Sequence, residues 1–214
     1  MTNTMKIQQA KIPKSLRTAV LDEEITDDLY VEQCLISNCT IDEKDIHRLR
    51  FDQVVFQNVT FIDVSFKSIE CTDVIFDKCD LSNVQFRGAV LHRVEMKNCK
   101  LLGINLSEAT LRNVVFKGCY LNLSSFGYSD LKQTSFTDSS LSNADFYEVK
   151  LNKVEFIDCN LNEANFGGSS LKGIDLSKNQ FEQLTVSRED LEGCIVSSDQ
   201  AIGFSRLMGL IIKE

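Results

Sequence analysis

The chain has 214 residues, a formal net charge of −8, two histidines, one proline and no tryptophan. No run of 18 apolar residues and no signal-peptide pattern is present, so we expect a cytoplasmic protein without a membrane partner. The acidic balance has the wrong sign for direct nucleic-acid binding, and we expect none.

The first 28 residues show no regular period. They contain Pro13, an apolar cluster over 16–21 and an acidic run over 22–28. Because the repeat that follows leaves an open edge, something has to cover it. We predict that residues 1–28 form an N-terminal cap, built from strand and one short helix.

From Val31 to Val196 every fifth residue is apolar, a run of 34 positions that never changes register. At 43% apolar content, the probability of such a run by chance is on the order of 10^-12, so the run is an architectural repeat. A second position, two residues earlier, carries small or β-branched residues such as Val54, Ala89 and Cys99. A period of five fits neither a helix nor a flat strand.

Two inward residues in every five cannot close a local core, so each unit has to stack on copies of itself. Four such sides close a coil of 20 residues, and successive coils then lie about 4.8 Å apart. The cysteine spacing agrees, because five cysteines differ by 20 or 40 and share one side: Cys39, Cys79, Cys99, Cys119 and Cys159. We predict an all-β solenoid of about eight coils over residues 29–197, filled by phenylalanine ladders.

The sequence offers no catalytic, cofactor-binding or metal-binding constellation. All eight cysteines occupy inward positions, where a thiol behaves as a small hydrophobe, and His47 and His92 face outward by register. A core filled by Phe and Leu leaves no concave site for a nucleophile and its base. We therefore expect a protein that is not an enzyme.

Residues 198–214 are predicted to form a C-terminal helix and tail. Ser198 can cap a helix that begins near Asp199. The segment is more apolar than a lid over the last coil requires, which indicates a twofold homodimer through this end. The candidate dimer residues are Ile202, Phe204, Leu207, Met208, Leu210 and Ile211.

Three segments carry a family resemblance: Ala144-Asp145-Phe146, Ala164-Asn165-Phe166 and Cys79-Asp80-Leu81. They resemble the core motif of the pentapeptide-repeat family. The resemblance implies a right-handed quadrilateral β-helix. In that geometry the Asp or Asn before the central residue can bond the amides of the turn.

The ending over residues 190–212 is similar to that of the Qnr-type branch of this family. That resemblance implies a homodimer through the C-terminal ends, which mimics DNA and protects DNA gyrase and topoisomerase IV from quinolones. Plasmid-borne members carry loops that project from the coils. Here the register is unbroken, so we expect no such loop.

Charge sorts by register onto opposite sides of the predicted rod. The side with the cysteine ladder is hereafter the acidic side. It carries one cation, Lys100, and six anions: Asp42, Glu43, Asp63, Asp80, Glu163 and Glu182. Between residues 90 and 172 the opposite side, hereafter the basic side, carries one anion, Asp130, and six cations: Arg93, Arg112, Lys132, Lys150, Lys153 and Lys172. Duplex DNA carries one charge per roughly 1.7 Å of axis, far more than this rod on average, so only one side could imitate it.

Two functional hypotheses follow. The first is a non-catalytic DNA mimic that binds DNA gyrase or topoisomerase IV by its acidic side. The second is a scaffold or regulator that binds an unrelated protein, because a fold does not fix a function.

Overall fold

The computed structural model describes residues 5–21, 26–205, 209 and 211. Over these residues the backbone is a β-solenoid of about 7 turns that ends in a single helix. The strands and the helix are β1 Arg17–Thr18, β2 Tyr30–Glu32, β3 Cys34–Ser37, β4 Thr40–His47, β5 Arg50–Asp52, β6 Val55–Gln57, β7 Thr60–Lys67, β8 Glu70–Asp77, β9 Val90–Lys97, β10 Thr110–Lys117, β11 Asp130–Thr137, β12 Lys150–Ile157 and α1 Ser198–Ser205.

Strand pairing is parallel, and from β2 onward each residue pairs with the residue 20 positions away. Thr110 in β10 pairs with Val90 in β9 and with Asp130 in β11. The two remaining sides of each later coil are joined by single bridges at the same offset, such as Asp80 to Lys100. The predicted 20-residue coil is therefore confirmed, and no loop interrupts the register between residues 30 and 195.

The corners of the coil lie two residues after each central apolar residue. Every residue whose number ends in 3 or 8, from Asp28 to Gly173, has a positive φ; we call these the corner positions. The expected Asp and Asn turns form beside them, since Asp80 Oδ1 accepts a hydrogen bond from the Ser82 backbone N–H at 3.1 Å. A short polar side chain thus fixes the turn that the backbone has to make.

The core consists of aromatic ladders parallel to the rod axis. Phe146 lies between Phe126 and Phe166, with ring centroids 4.8 and 4.9 Å apart and interplanar angles of 2° and 3°. All three side chains are fully buried. The spacing equals the distance between coils, so the predicted inward register is confirmed.

The small inward position carries a recurring hydrogen bond. The thiols of Cys99 and Cys119 donate to the carbonyls of Phe76 and Met96, each 23 residues earlier, at 3.4 and 3.2 Å. Asn179 takes the same role for Phe156 O at 2.9 Å. All eight cysteines are free thiols.

The N-terminal residues reach much farther than a cap. Strand β1 pairs with β3 at the edge of the first coil. The predicted short helix is wrong for the described part of the segment, because residues 5–21 and 26–28 contain no helix. Residues 5–13 instead run extended along the flank of the rod, and we call them the N-terminal strap.

The sequence suggested Ser198 as the cap of the C-terminal helix, but the residue that caps it is Ser197. The Ser197 hydroxyl accepts from the Gln200 N–H at 3.2 Å, and the Gln200 side chain accepts from the Ser197 N–H at 2.9 Å, which is a reciprocal capping box. Gln200 Nε2 also donates to the carbonyls of Leu176 and Asn179. One glutamine therefore both starts the helix and ties it to the last coils.

Candidate functional site

The six residues of the acidic side lie on one side of the solenoid, as their register requires. Five of them are exposed, whereas Asp80 is half-buried. Lys100 stands one coil above Asp80, with Nζ 3.5 Å from its Oδ2, and so is already paired. Burial raises the pKa of the Asp80 carboxyl, but hydrogen bonds from Ser82 and the charge of Lys100 outweigh it and hold that pKa below its usual value.

The acidic side falls into two separate groups. Asp42, Glu43, Asp63 and Asp80 occupy the N-terminal coils. Glu163 and Glu182 lie about 20 Å farther along the rod, given roughly 4.8 Å per coil. Between the two groups the same side presents exposed Leu102, Tyr120 and Leu123. The count of charges from the sequence did not consider these apolar residues.

The basic side is partly neutralised by ion pairs. Arg93 Nε and Nη2 each donate to Asp73 at 2.6 Å, and the Asp73 and Arg93 side chains are only 6% and 16% exposed. Arg112 Nη2 donates to the Asp130 carboxylate at 2.6 Å. The unpaired part of the predicted basic strip therefore reduces to four exposed lysines among the described residues: Lys132, Lys150, Lys153 and Lys172.

The N-terminal strap lies against the corner next to this side. Its backbone N–H groups at Gln8, Ala10 and Lys11 donate to side chains from three successive coils at 2.8–2.9 Å. The acceptors are, in the same order, Asn113, Glu95 and Asp73. Gln53 and Gln133 complete the contact by donating to the carbonyls of Lys11 and Lys6. The period-five pattern gave no signal for these contacts, because the strap itself has no period.

The C-terminal end presents a groove lined by both apolar and polar residues. Phe204 packs on Phe181 with ring centroids 5.7 Å apart, and Ile202 is 53% exposed. The groove between the helix and the last coil has a volume of about 730 Å³ and includes Leu184 in its lining. Ile211 is exposed as well. The candidate dimer residues Leu207, Met208 and Leu210 lie outside the described residues.

Sequence reasoning missed a second apolar surface. Leu123 and Tyr128 are 62% and 60% exposed, and Tyr147 meets Tyr128 edge to face with ring centroids 5.6 Å apart. The signal was in the sequence, because the residues 20 and 40 positions from Leu123 are Asn83, Gly103, Asn143 and Glu163. An outward leucine in such a column needs an explanation.

Within residues 5–21 and 26–205, no cluster of His, Cys, Asp and Glu side chains could hold a metal ion. In the same part of the chain no helix is long and apolar enough to cross a membrane.

Comparison of the sequence with protein families agrees with the repeat geometry. A model described as a pentapeptide repeat region matches residues 69–146. A second, described as pentapeptide repeats of eight copies, matches 139–177 and 159–195. Together they span 69–195, more than half of the chain. The chain belongs to the pentapeptide-repeat family.

Solved pentapeptide-repeat structures are similar to this chain at low identity. A trypsin-treated form of QnrB1, a plasmid-mediated fluoroquinolone resistance protein, is 14% identical with a TM-score of 0.43, covering 88% of this chain and 100% of that one. HetL from Nostoc sp. strain PCC 7120, involved in heterocyst differentiation regulation, is 14% identical with a TM-score of 0.27, covering 80% and 86%. No curated protein sequence matches this pentapeptide-repeat chain.

Proposed function

We propose that this pentapeptide-repeat protein is a non-catalytic, cytoplasmic DNA mimic that binds DNA gyrase or topoisomerase IV and protects it from quinolones. The proposal rests above all on the acidic side, where Asp42, Asp63 and Glu163 face solvent and the lone Lys100 is paired. A rod with one acidic side suits a groove built to hold the phosphate backbone of DNA. The similarity of residues 190–212 to the ending of Qnr-type proteins supports the same partner.

The charge distribution suggests how the protein would act. Charges of one sign on one side steer a partner in a defined orientation and set the register of the contact. A twofold dimer through the C-terminal end would place two acidic sides in the symmetry that a twofold enzyme requires. Opposite charge on the basic side would disfavour binding by the wrong side. Protection would come from competing with DNA for the enzyme or from remodelling its DNA-binding surface.

The first experiment is gyrase supercoiling in the presence of a fluoroquinolone, with this protein titrated in. We expect activity to be restored at low micromolar protein and inhibited only at much higher concentration. The same titration with topoisomerase IV decatenation tests the second enzyme. If neither enzyme responds, the proposal fails and a scaffold for another protein becomes the better hypothesis.

A charge reversal with a matched control tests the acidic side. Asp80→Lys, Glu163→Lys and Glu182→Lys together should abolish protection. The control variant carries the same charge change on exposed glutamates of the opposite side: Glu32→Lys, Glu70→Lys and Glu189→Lys. We expect the control to protect almost as well as the wild type. Equal loss in both variants would mean that net charge, rather than the acidic side, controls binding.

A further inference from the structure

Two large apolar residues stand at corner positions, where the backbone has a positive φ. Leu123 has φ 59° and Tyr128 has φ 61°. Every other corner position from Asp28 to Gly173 carries a charged residue, an amide, a serine or glycine. Left-handed backbone disfavours a bulky side chain, and glycine and asparagine adopt it most readily. Folding therefore gives no reason for a leucine or a tyrosine at these two corners.

The Leu123 and Tyr128 side chains lie on either side of a surface made of small outward residues. Leu123 and Tyr128 are the corners at either end of the side 124–128, whose outward residues are Ser125 and the buried Gly127. Tyr147 extends this surface into the next coil. Its ring lies over Gly167, where a Cβ added to the glycine would be 3.5 Å from the ring carbon Cδ2. We call Leu123, Tyr128 and Tyr147 the aromatic patch. Since these side chains remain exposed, burying them is possible only against another molecule.

The charges on the side of the rod that contains residues 124–128 are mainly negative, and the basic side adjoins it beyond Tyr128. Glu108 and Glu148 occupy the same corner one coil before and one coil after Tyr128. Asp145 lies in the row beside Tyr147 and accepts from its backbone N–H at 3.2 Å. Arg87, a cation of the same side, donates to Glu108 at 2.6 Å. An aromatic face between carboxylates attracts a guanidinium or ammonium group.

We propose that the aromatic patch is the anchor point for a cationic segment of the protein partner. An arginine or lysine of that segment would lie over the Tyr128 ring between Glu108 and Glu148, and an apolar neighbour would pack against Leu123. Buried aromatic anchors contribute most of the affinity in protein interfaces, whereas exposed charges mainly steer association. This inference rests on the proposed function, in which the partner is gyrase or topoisomerase IV.

The test uses the full-length protein with the purified subunits of gyrase and topoisomerase IV in a direct binding titration. The variant combines Leu123→Asn, which matches Asn83 and Asn143 in its column, with Tyr128→Gly, which matches Gly88 and Gly168. It leaves the net charge unchanged and removes two side chains from strained corners, so it should melt no lower than the wild type. Val90→Thr, at an exposed apolar residue of the basic side, is the control.

We expect the double variant to bind the subunit at least ten-fold more weakly, mainly through faster dissociation, while Val90→Thr binds like the wild type. If the folded double variant binds with an affinity within two-fold of the wild type, the proposed anchoring role of the aromatic patch is wrong and the proposed function still stands. A wild-type protein that binds none of the subunits would overturn both. A change in oligomeric state in the double variant would assign the patch to self-association and overturn the inference.

Discussion

Asp73 accepts three hydrogen bonds at one corner of the solenoid: two from the guanidinium of Arg93, each at 2.6 Å, and one from the Lys11 backbone N–H at 2.8 Å. Arg93 belongs to the next coil, and Lys11 belongs to the N-terminal strap. A single buried carboxylate therefore joins two coils and the strap. Charge-assisted bonds of this kind are stronger than those between neutral groups.

Replacing Asp73 should loosen the strap without unfolding the coils. Asp73→Asn keeps the shape but leaves Arg93 with no carboxylate, so we expect a loss of about 1–3 kcal/mol. Trypsin cleavage after Lys11 and Lys14, followed by mass spectrometry, should become faster. Asp28→Asn, which breaks the exposed pair with Arg48, is the control. It should leave both the free energy of unfolding and the rate of trypsin cleavage nearly unchanged. Equal protection of Lys11 in wild type and Asp73→Asn would contradict this role.

The same carboxylate predicts a pH dependence. Burial opposes its ionisation, but the bonds from Arg93 and Lys11 outweigh burial and hold the pKa of Asp73 below its ordinary value. A lowered folded-state pKa gives stability that is present above the unfolded pKa of about 3.9 and is lost as the pH falls through the folded pKa. The difference in urea midpoint between wild type and Asp73→Asn should therefore be constant near pH 6 and shrink below about pH 4. A difference that persists unchanged at pH 3 would be inconsistent with this assignment.

Thr134 should be replaceable with a gain in stability. Its side chain is fully buried, and its hydroxyl has no hydrogen-bond partner. The residues at the same position in other coils are Val74, Val94, Val114 and Val154. Thr134→Val should therefore raise the free energy of unfolding by about 1 kcal/mol, because it removes an unsatisfied buried donor.

Ser139 provides the opposite control for Thr134. Its hydroxyl accepts from the Cys119 N–H at 3.0 Å and donates to Thr137 O at 2.8 Å. Ser139→Ala should lower the free energy of unfolding by about 1–2 kcal/mol, since a buried N–H then lacks a partner. Urea unfolding of the two variants beside the wild type measures both effects. If both substitutions change the free energy of unfolding in the same direction, hydrogen bonding does not determine which residue is more stable at these positions.

Phenylalanine ladders should dominate the stability of the rod. Phe146 is stacked on Phe126 and Phe166 and also meets Phe136 and Phe156 edge to face. Phe146→Ala should cost about 3–5 kcal/mol, because the rigid coils on either side cannot close the cavity. Lys132→Ala, at an exposed residue, should cost less than about 0.5 kcal/mol. Similar costs in denaturant titrations would mean that the inward register is wrong.

Much of the fold could be predicted from the sequence, since the coil, its register and its inward residues follow from a period of five, which fits neither a helix nor a flat strand. The strap could not be, because Gln8 and Asn113 are 105 positions apart in the sequence and the strap itself has no period. The cap at Ser197 was missed for a local reason. Two adjacent serines are equally good caps by residue type, and the reciprocal hydrogen bonds with Gln200 select Ser197. Leu123 could have been identified from the sequence as an outward leucine among polar residues and glycine, and the positive φ at its corner adds that the backbone disfavours a bulky side chain there.

Dimerisation through the C-terminal end is best tested at Ile202. Phe204 packs on Phe181, so replacing it would also disturb the last coil, whereas Ile202 is largely exposed. Ile202→Asp should therefore convert the predicted homodimer to a monomer without shifting the melting temperature of the coils, as followed by light scattering and circular dichroism. Tyr120→Asp, exposed in a column that already holds Asp80, is the control and should stay dimeric. In the proposed function the monomer loses quinolone protection, so full protection by a monomeric Ile202→Asp would rule out the symmetry argument.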